Sequence, residues 1–221
     1  MLNIEGKVEA IAGTARNITE RKAVEDQNWQ RANYDLLTGL PNRRLFLERL
    51  ERNVKHTGRI GAQIALLFID LDHFKEVNDK FGHSMGDLLL QVVTSRIRAC
   101  VRETDTVARL GGDEFTIILQ DLKDTQHAEI VARKILAELA TPFHIFNDTI
   151  HISASIGITL SPQDTTTSNQ LLEKADQAMY MAKKGGLNQF SFFTTPNQEQ
   201  SVDVPVRYDD THPNLNSSNL G

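Results

Sequence analysis

The 221 residues include 24 Lys and Arg against 29 Asp and Glu. The resulting net charge of −5 supplies no global field for a polynucleotide or an anionic membrane, so any phosphate must be held by a local site. Hydrophobic residues at 40% and charged residues at 24% suit one real core. Cys100 is the only cysteine, which excludes an internal disulfide framework. No apolar run reaches membrane-spanning length, and the N-terminus lacks a signal peptide's basic start and apolar core. The expectation is a cytoplasmic chain without membrane contact.

In chain order, residues 7–18 read as one strand, with Val8, Ala10 and Ala12 alternating against polar neighbours. Asn17 and Glu20 have capping-box spacing and open a helix running toward Tyr34. Its Val24, Trp29, Ala32 and Leu36 form no heptad, so no coiled coil follows. Asn42 is placed to cap a helix carrying Phe46, Leu50 and Val54, which Gly58 and Gly61 are expected to break. Ile64–Ile69 reads as a buried strand bounded by acidic residues. A helix is expected over 85–103, with Leu89, Val92, Val93, Ile97 and Cys100 on one face, which makes Cys100 a small core residue. Strands Thr106–Leu110 and Phe115–Leu119 join tightly through Gly111 and Gly112.

Ala128, Val131, Ile135 and Leu139 mark a further helix ending before Pro142. Phe143–Phe146 and Ile150–Leu160 read as a hairpin. Leu171, Ala175, Ala178 and Ala182 stripe a last helix stopped by Gly185 and Gly186, and Gln189–Phe193 is the final strand. Beyond Thr195 the composition is that of a disordered tail. The fold class is α+β, a central, mostly antiparallel sheet flanked by helices.

Two stretches concentrate chemistry. Asp70, in FIDLDHFKEVNDKFGHSMGD (68–87), brings a carboxylate to the end of a buried strand. The run RLGGDEF (109–115) brings Asp113 and Glu114 to a tight turn whose glycines let backbone approach a ligand. Carboxylates on neighbouring strand ends suit Mg²⁺, which takes one or two of them and phosphate oxygens for the rest. Taken singly, an acidic strand end and a Gly–Asp turn are commonplace. The seven histidines show no zinc-site spacing.

The motifs DLLTGLPNRR (35–44), FIDLDHFKEVNDKFGHSMGD, GGDEF, SASIGIT (153–159) and ADQAMYMAKKGG (175–186) occur together. In that order they resemble the GGDEF family of diguanylate cyclases from about Tyr34 to Phe193. The resemblance implies a palm-like fold, as in nucleotide cyclases and polymerases. It also implies an enzyme that condenses two GTP into cyclic di-GMP with Mg²⁺, Mn²⁺ being possible. It assigns Asp70, the Leu71 carbonyl, Asp113 and Glu114 to the metal, and Asp113 also as base. Asn78 and Asp87 would read guanine, whose N1–H and N2–H₂ donors adenine lacks. His83 would stand near the nucleotide, Gly111 and Gly112 would leave room for the triphosphate, and Lys75 and Lys183 would contact phosphates. Lys183 also suits a helix C-terminus on its own account, His83 suits a structural role, and Asn78 and Asp87 suit helix ends.

Arg102 and Asp105 match the family's R-x-x-D site for inhibitory product; a surface salt bridge is the plain alternative. Leu187 stands where the family commonly has arginine, removing one phosphate contact. The expected partners are therefore GTP, cyclic di-GMP and a second copy of the chain, since one hairpin holds one GTP and the product needs two. The expected organisation is 1–18 as the end of a PAS/PAC-type sensor, 19–34 as a linker helix, 35–194 as the cyclase and 195–221 as tail. The alternative function is a weakly catalytic GTP or cyclic di-GMP binding module; a third is another palm-type nucleotidyl transferase or an adenylate-forming cyclase, against which stand the acidic balance and the pair Asn78 and Asp87.

Overall fold

The computed structural model describes residues 19–60 and 62–194. The strand expected over 7–18, with its sensor reading, and the tail beyond 195 lie outside the described residues. The chain divides into two compact units, 1–32 and 33–221. The helix α1 (Thr19–Asn33) belongs almost entirely to the first and exposes Val24 and Trp29.

The second unit starts with α2 (Arg43–Ile60), where the Leu45 N–H donates to Asn42 Oδ1 at 3.2 Å, the expected cap. Its buried stripe is Phe46 and Leu50. Gly58 does not break it: a helical glycine costs about 1 kcal/mol against alanine but keeps its backbone donor. Strand β1 (Gln63–Asp72) is longer than Ile64–Ile69, and Asp70 lies inside it rather than at its end. A short helix that the periodicity does not announce, α3 (Phe74–Phe81), precedes α4 (His83–Cys100), which answers the helix expected over 85–103. Gly82 separates them at φ 85°, its N–H donating to the Asn78 carbonyl. On α4, Leu89, Val93, Ile97 and Cys100 are buried, whereas Val92 is 37% exposed, having rotated off the stripe.

Next come β2 (Thr106–Gly111), β3 (Glu114–Leu122) and α5 (Gln126–Ala140). The expected long hairpin over 143–160 is resolved differently. A small one, β4 (Phe143–Ile145) with β5 (Asp148–Ile150), precedes an independent strand β6 (Ser153–Ser161). Then α6 (Ser168–Lys184) leads into β7 (Gln189–Phe192).

The sheet order is β2-β3-β1-β6-β7. Central β1 runs antiparallel to β3 and β6, and β7 parallel to β6. Side chains alternate across a strand, so β1 feeds two cores. Ala65, Leu67, Ile69 and Leu71 join the core that includes α4 and α5; Ile64, Leu66 and Phe68 join the one that includes α2 and α6. The same alternation puts Asp70 and Asp72 on the α6 face. That helix lies very close to the sheet. A Cβ on Gly157 of β6 would stand 2.0 Å from the Ala175 carbonyl oxygen and 2.2 Å from the Met179 nitrogen. Among the described residues, no helix is long and apolar enough to cross a membrane.

Candidate active site

The acidic cluster is built by strand register. Asp70 pairs with Glu114 across β1 and β3, and the Leu71 N–H donates to the Asp113 carbonyl at 3.4 Å. The tip between β2 and β3 takes φ of 150° at Gly111 and 52° at Gly112, values that side chains resist. Asp113 and Glu114 follow immediately, both half-buried. Opposite them, Lys183 in the last turn of α6 holds Asp70 Oδ1 at 2.7 Å. The close seating of α6 on Gly157 is what brings this lysine within reach.

Burial pushes the Asp70 carboxyl up from the usual range; Lys183 counters this, while Asp113 and Asp72 reinforce it. Glu114 is also raised, first by burial and then by Asp70, with Arg43 opposing and Asp113 and Asp176 adding to it. These groups are hard oxygen donors short of positive charge. Among the described residues, no group of three or more His, Cys, Asp and Glu could cage a metal ion by itself. The donor set fits Mg²⁺ nonetheless, because that ion keeps waters and phosphate oxygens around one or two carboxylates.

Asn78 on α3 is half-buried, and Gly86 makes room for it: a Cβ there would lie 2.0 Å from Asn78 Oδ1. Asp87 follows Gly86 directly and is exposed, so the expected guanine-reading pair sits along one α3–α4 seam. Lys75 and His83 are exposed on the first turns of α3 and α4.

Arg102 and Asp105 are not part of this cluster. They lie before β2, beside a cavity of about 440 Å³ that Tyr34, Pro41, Arg49 and Arg98 also line. Asp105 accepts the Arg102 backbone N–H at 3.0 Å and the Gln120 N–H at 3.2 Å. Among the described residues the two side chains form no ion pair, so the carboxylate fastens the loop and the exposed guanidinium stays outside that bond.

Sequence reasoning missed three supports. Asp72, only 2% exposed, accepts the Ser153 and Ser155 hydroxyls and the Asn188 N–H, tying β1 to the turn after α6. Its signal was the two-residue spacing from Asp70. Arg109 and Asp35 pair across 74 positions, which no local pattern reveals. Gly157, within SASIGIT, gave no sign of the helix it would meet.

The model of the family "Diguanylate cyclase, GGDEF domain" matches residues 32–189. The chain belongs to this family. Its GGDEF domain is 47% identical over 164 residues to the bifunctional diguanylate cyclase/cyclic di-GMP phosphodiesterase MucR of Pseudomonas aeruginosa, covering 74% of this chain and 24% of MucR. It is 44% identical over 154 residues to the diguanylate cyclase TpbB of the same species, covering 69% of this chain and 35% of TpbB. The chain thus spans between a quarter and about a third of these relatives. The solved GGDEF domain of TpbB superposes with a TM-score of 0.71 at 41% identity, over 73% of this chain and 94% of that one. The coiled coil and GGDEF domain of DgcB from Caulobacter crescentus, solved with cyclic di-GMP, gives 0.72 at 27% identity, over 79% and 93%.

Proposed function

We propose that this GGDEF domain is a diguanylate cyclase, condensing two GTP into cyclic di-GMP and two pyrophosphates as a homodimer. The observation that carries the reading is the β2–β3 tip, which sets Asp113 and Glu114 beside buried Asp70 with Lys183 in reach.

Asn78 and Asp87 accept the guanine N1–H and N2–H₂ donors, and the glycine tip lets the polyphosphate lie close to backbone. Asp70, Asp113, Glu114 and the Leu71 carbonyl are the oxygen donors that would serve Mg²⁺, or Mn²⁺ in its place, with one or two of the carboxylates to an ion. When bound, the ion neutralises phosphate charge and polarises the α-phosphate. Lys183 exchanges Asp70 for phosphate oxygens, and Lys75 adds a second positive charge. Asp113 takes the proton from a 3′-hydroxyl; that oxygen bonds to the partner nucleotide's α-phosphorus as pyrophosphate leaves, and the step repeats in the reverse sense. Product inhibition acts at Arg102, whose fork suits a guanine edge and a phosphate.

Incubation with GTP and Mg²⁺, with chromatography for cyclic di-GMP, tests the activity. Asp113→Ala should abolish turnover without changing the circular dichroism spectrum; normal turnover in that variant overturns the assignment. GTP binding without product would favour the binding-module alternative, consistent with Leu187 at the arginine position. Arg102→Ala should weaken cyclic di-GMP binding and relieve inhibition while the initial rate holds.

A further inference from the structure

Arg109 reaches in three directions. Its Nε and Nη2 both donate to the Gly112 carbonyl, at 2.9 and 2.7 Å. Its Nη1 donates to both Asp35 carboxylate oxygens, at 3.0 and 3.1 Å. Its backbone N–H donates to the Pro41 carbonyl at 3.0 Å. The guanidinium side chain is only 10% exposed. Asp35 is itself fixed: it accepts the Thr38 N–H and hydroxyl, and its backbone bonds close the turn to Gly39 and Leu40. Burial alone would raise its pKa, but Thr38 and Arg109 hold the carboxyl below the usual range.

The tip that Arg109 grips has a conflict built into it. Gly111 and Gly112 are needed where backbone takes positive φ and must approach a ligand, yet glycine loses the most freedom on ordering. No side chain of the tip itself can restrain residues 111 and 112. A fork that clasps the carbonyl immediately before Asp113 supplies the missing restraint, and a carboxylate on a separate, rigid turn keeps the fork in place.

We propose that Arg109 is a positioning residue for the catalytic hairpin, clamping the Gly112 carbonyl against the Asp35 turn and so fixing where Asp113 and Glu114 stand relative to Asp70. Lysine keeps the charge but can serve only one of the two anchors, because it lacks the fork.

Hydrogen exchange followed by mass spectrometry on the whole chain, as wild type, Arg109→Lys and Asp35→Asn, tests this. In Arg109→Lys, amides of residues 110–114 should exchange roughly tenfold faster, with β1 and α5 unchanged. Asp35→Asn should shift the same segment less. The activity arm rests on the cyclase reading: kcat should fall roughly 100-fold with the GTP KM little altered, as for a misplaced reacting group. Unchanged exchange at the hairpin, or acceleration spread equally over the sheet, overturns the proposal. A wild type that makes no cyclic di-GMP while the hairpin loosens in Arg109→Lys leaves the positioning role standing and removes the cyclase reading instead.

Discussion

Glu114 sits where its own charge is unwelcome. Burial and the neighbouring Asp70 raise its pKa above that of the same group in an unfolded chain. The sign of the consequence follows from linkage. Well below the ordinary carboxylate range both states are protonated and nothing is lost. As pH rises, the unfolded chain ionises first, and the folded state loses stability until Glu114 too is charged. Glu114→Gln removes that loss. Without added metal, the variant should therefore melt at a higher temperature than wild type at pH 7, and the difference should vanish below about pH 4. Scanning calorimetry across pH checks this, and cyclase activity should move the opposite way. The carboxylates themselves were legible as motifs in the sequence. Their countercharge was not, because Lys183 lies 113 positions from Asp70 and its pairing depends on tertiary packing.

That packing belongs to α6 and β6. A Cβ on Gly157 would overlap helix backbone, which cannot swing aside like a side chain. Gly157→Ala should therefore displace α6, destabilising the domain by roughly 1–3 kcal/mol as overpacking does. Because Lys183 travels with the helix, activity should fall more than the lost stability alone explains. Urea unfolding beside GTP turnover separates the two effects. At this scale the sequence was read unevenly. Periodicity located α2, α4, α5 and α6, since their stripes face a single core each. It missed α3, a short helix that buries only Phe74 and Val77 and so shows no repeating stripe. It also joined Phe143 to Leu160 in one hairpin, because a short satellite pair and a central strand are equally apolar and pairing partners are not written locally.

For the molecule as a whole, the proposed reaction needs two nucleotides, while each chain carries one GGDEF hairpin. Specific activity is expected to rise with enzyme concentration as two-fold pairs form. A dilution series with light scattering checks it: flat specific activity among monomers would exclude the paired mechanism. The hydrogen bond from the Arg109 backbone to Pro41 bears on a different hazard. Strand β2 is the outermost strand on its side of the sheet, and an uncovered outer strand invites pairing with other chains and aggregation. Here the outward N–H of Arg109 is already occupied by a turn rather than by another strand. Protection against edge-to-edge aggregation thus depends on residues 34–41. A chain begun at Asn42 should leave β2 open and turn cloudy at concentrations where the full chain stays clear, as turbidity on warming would show.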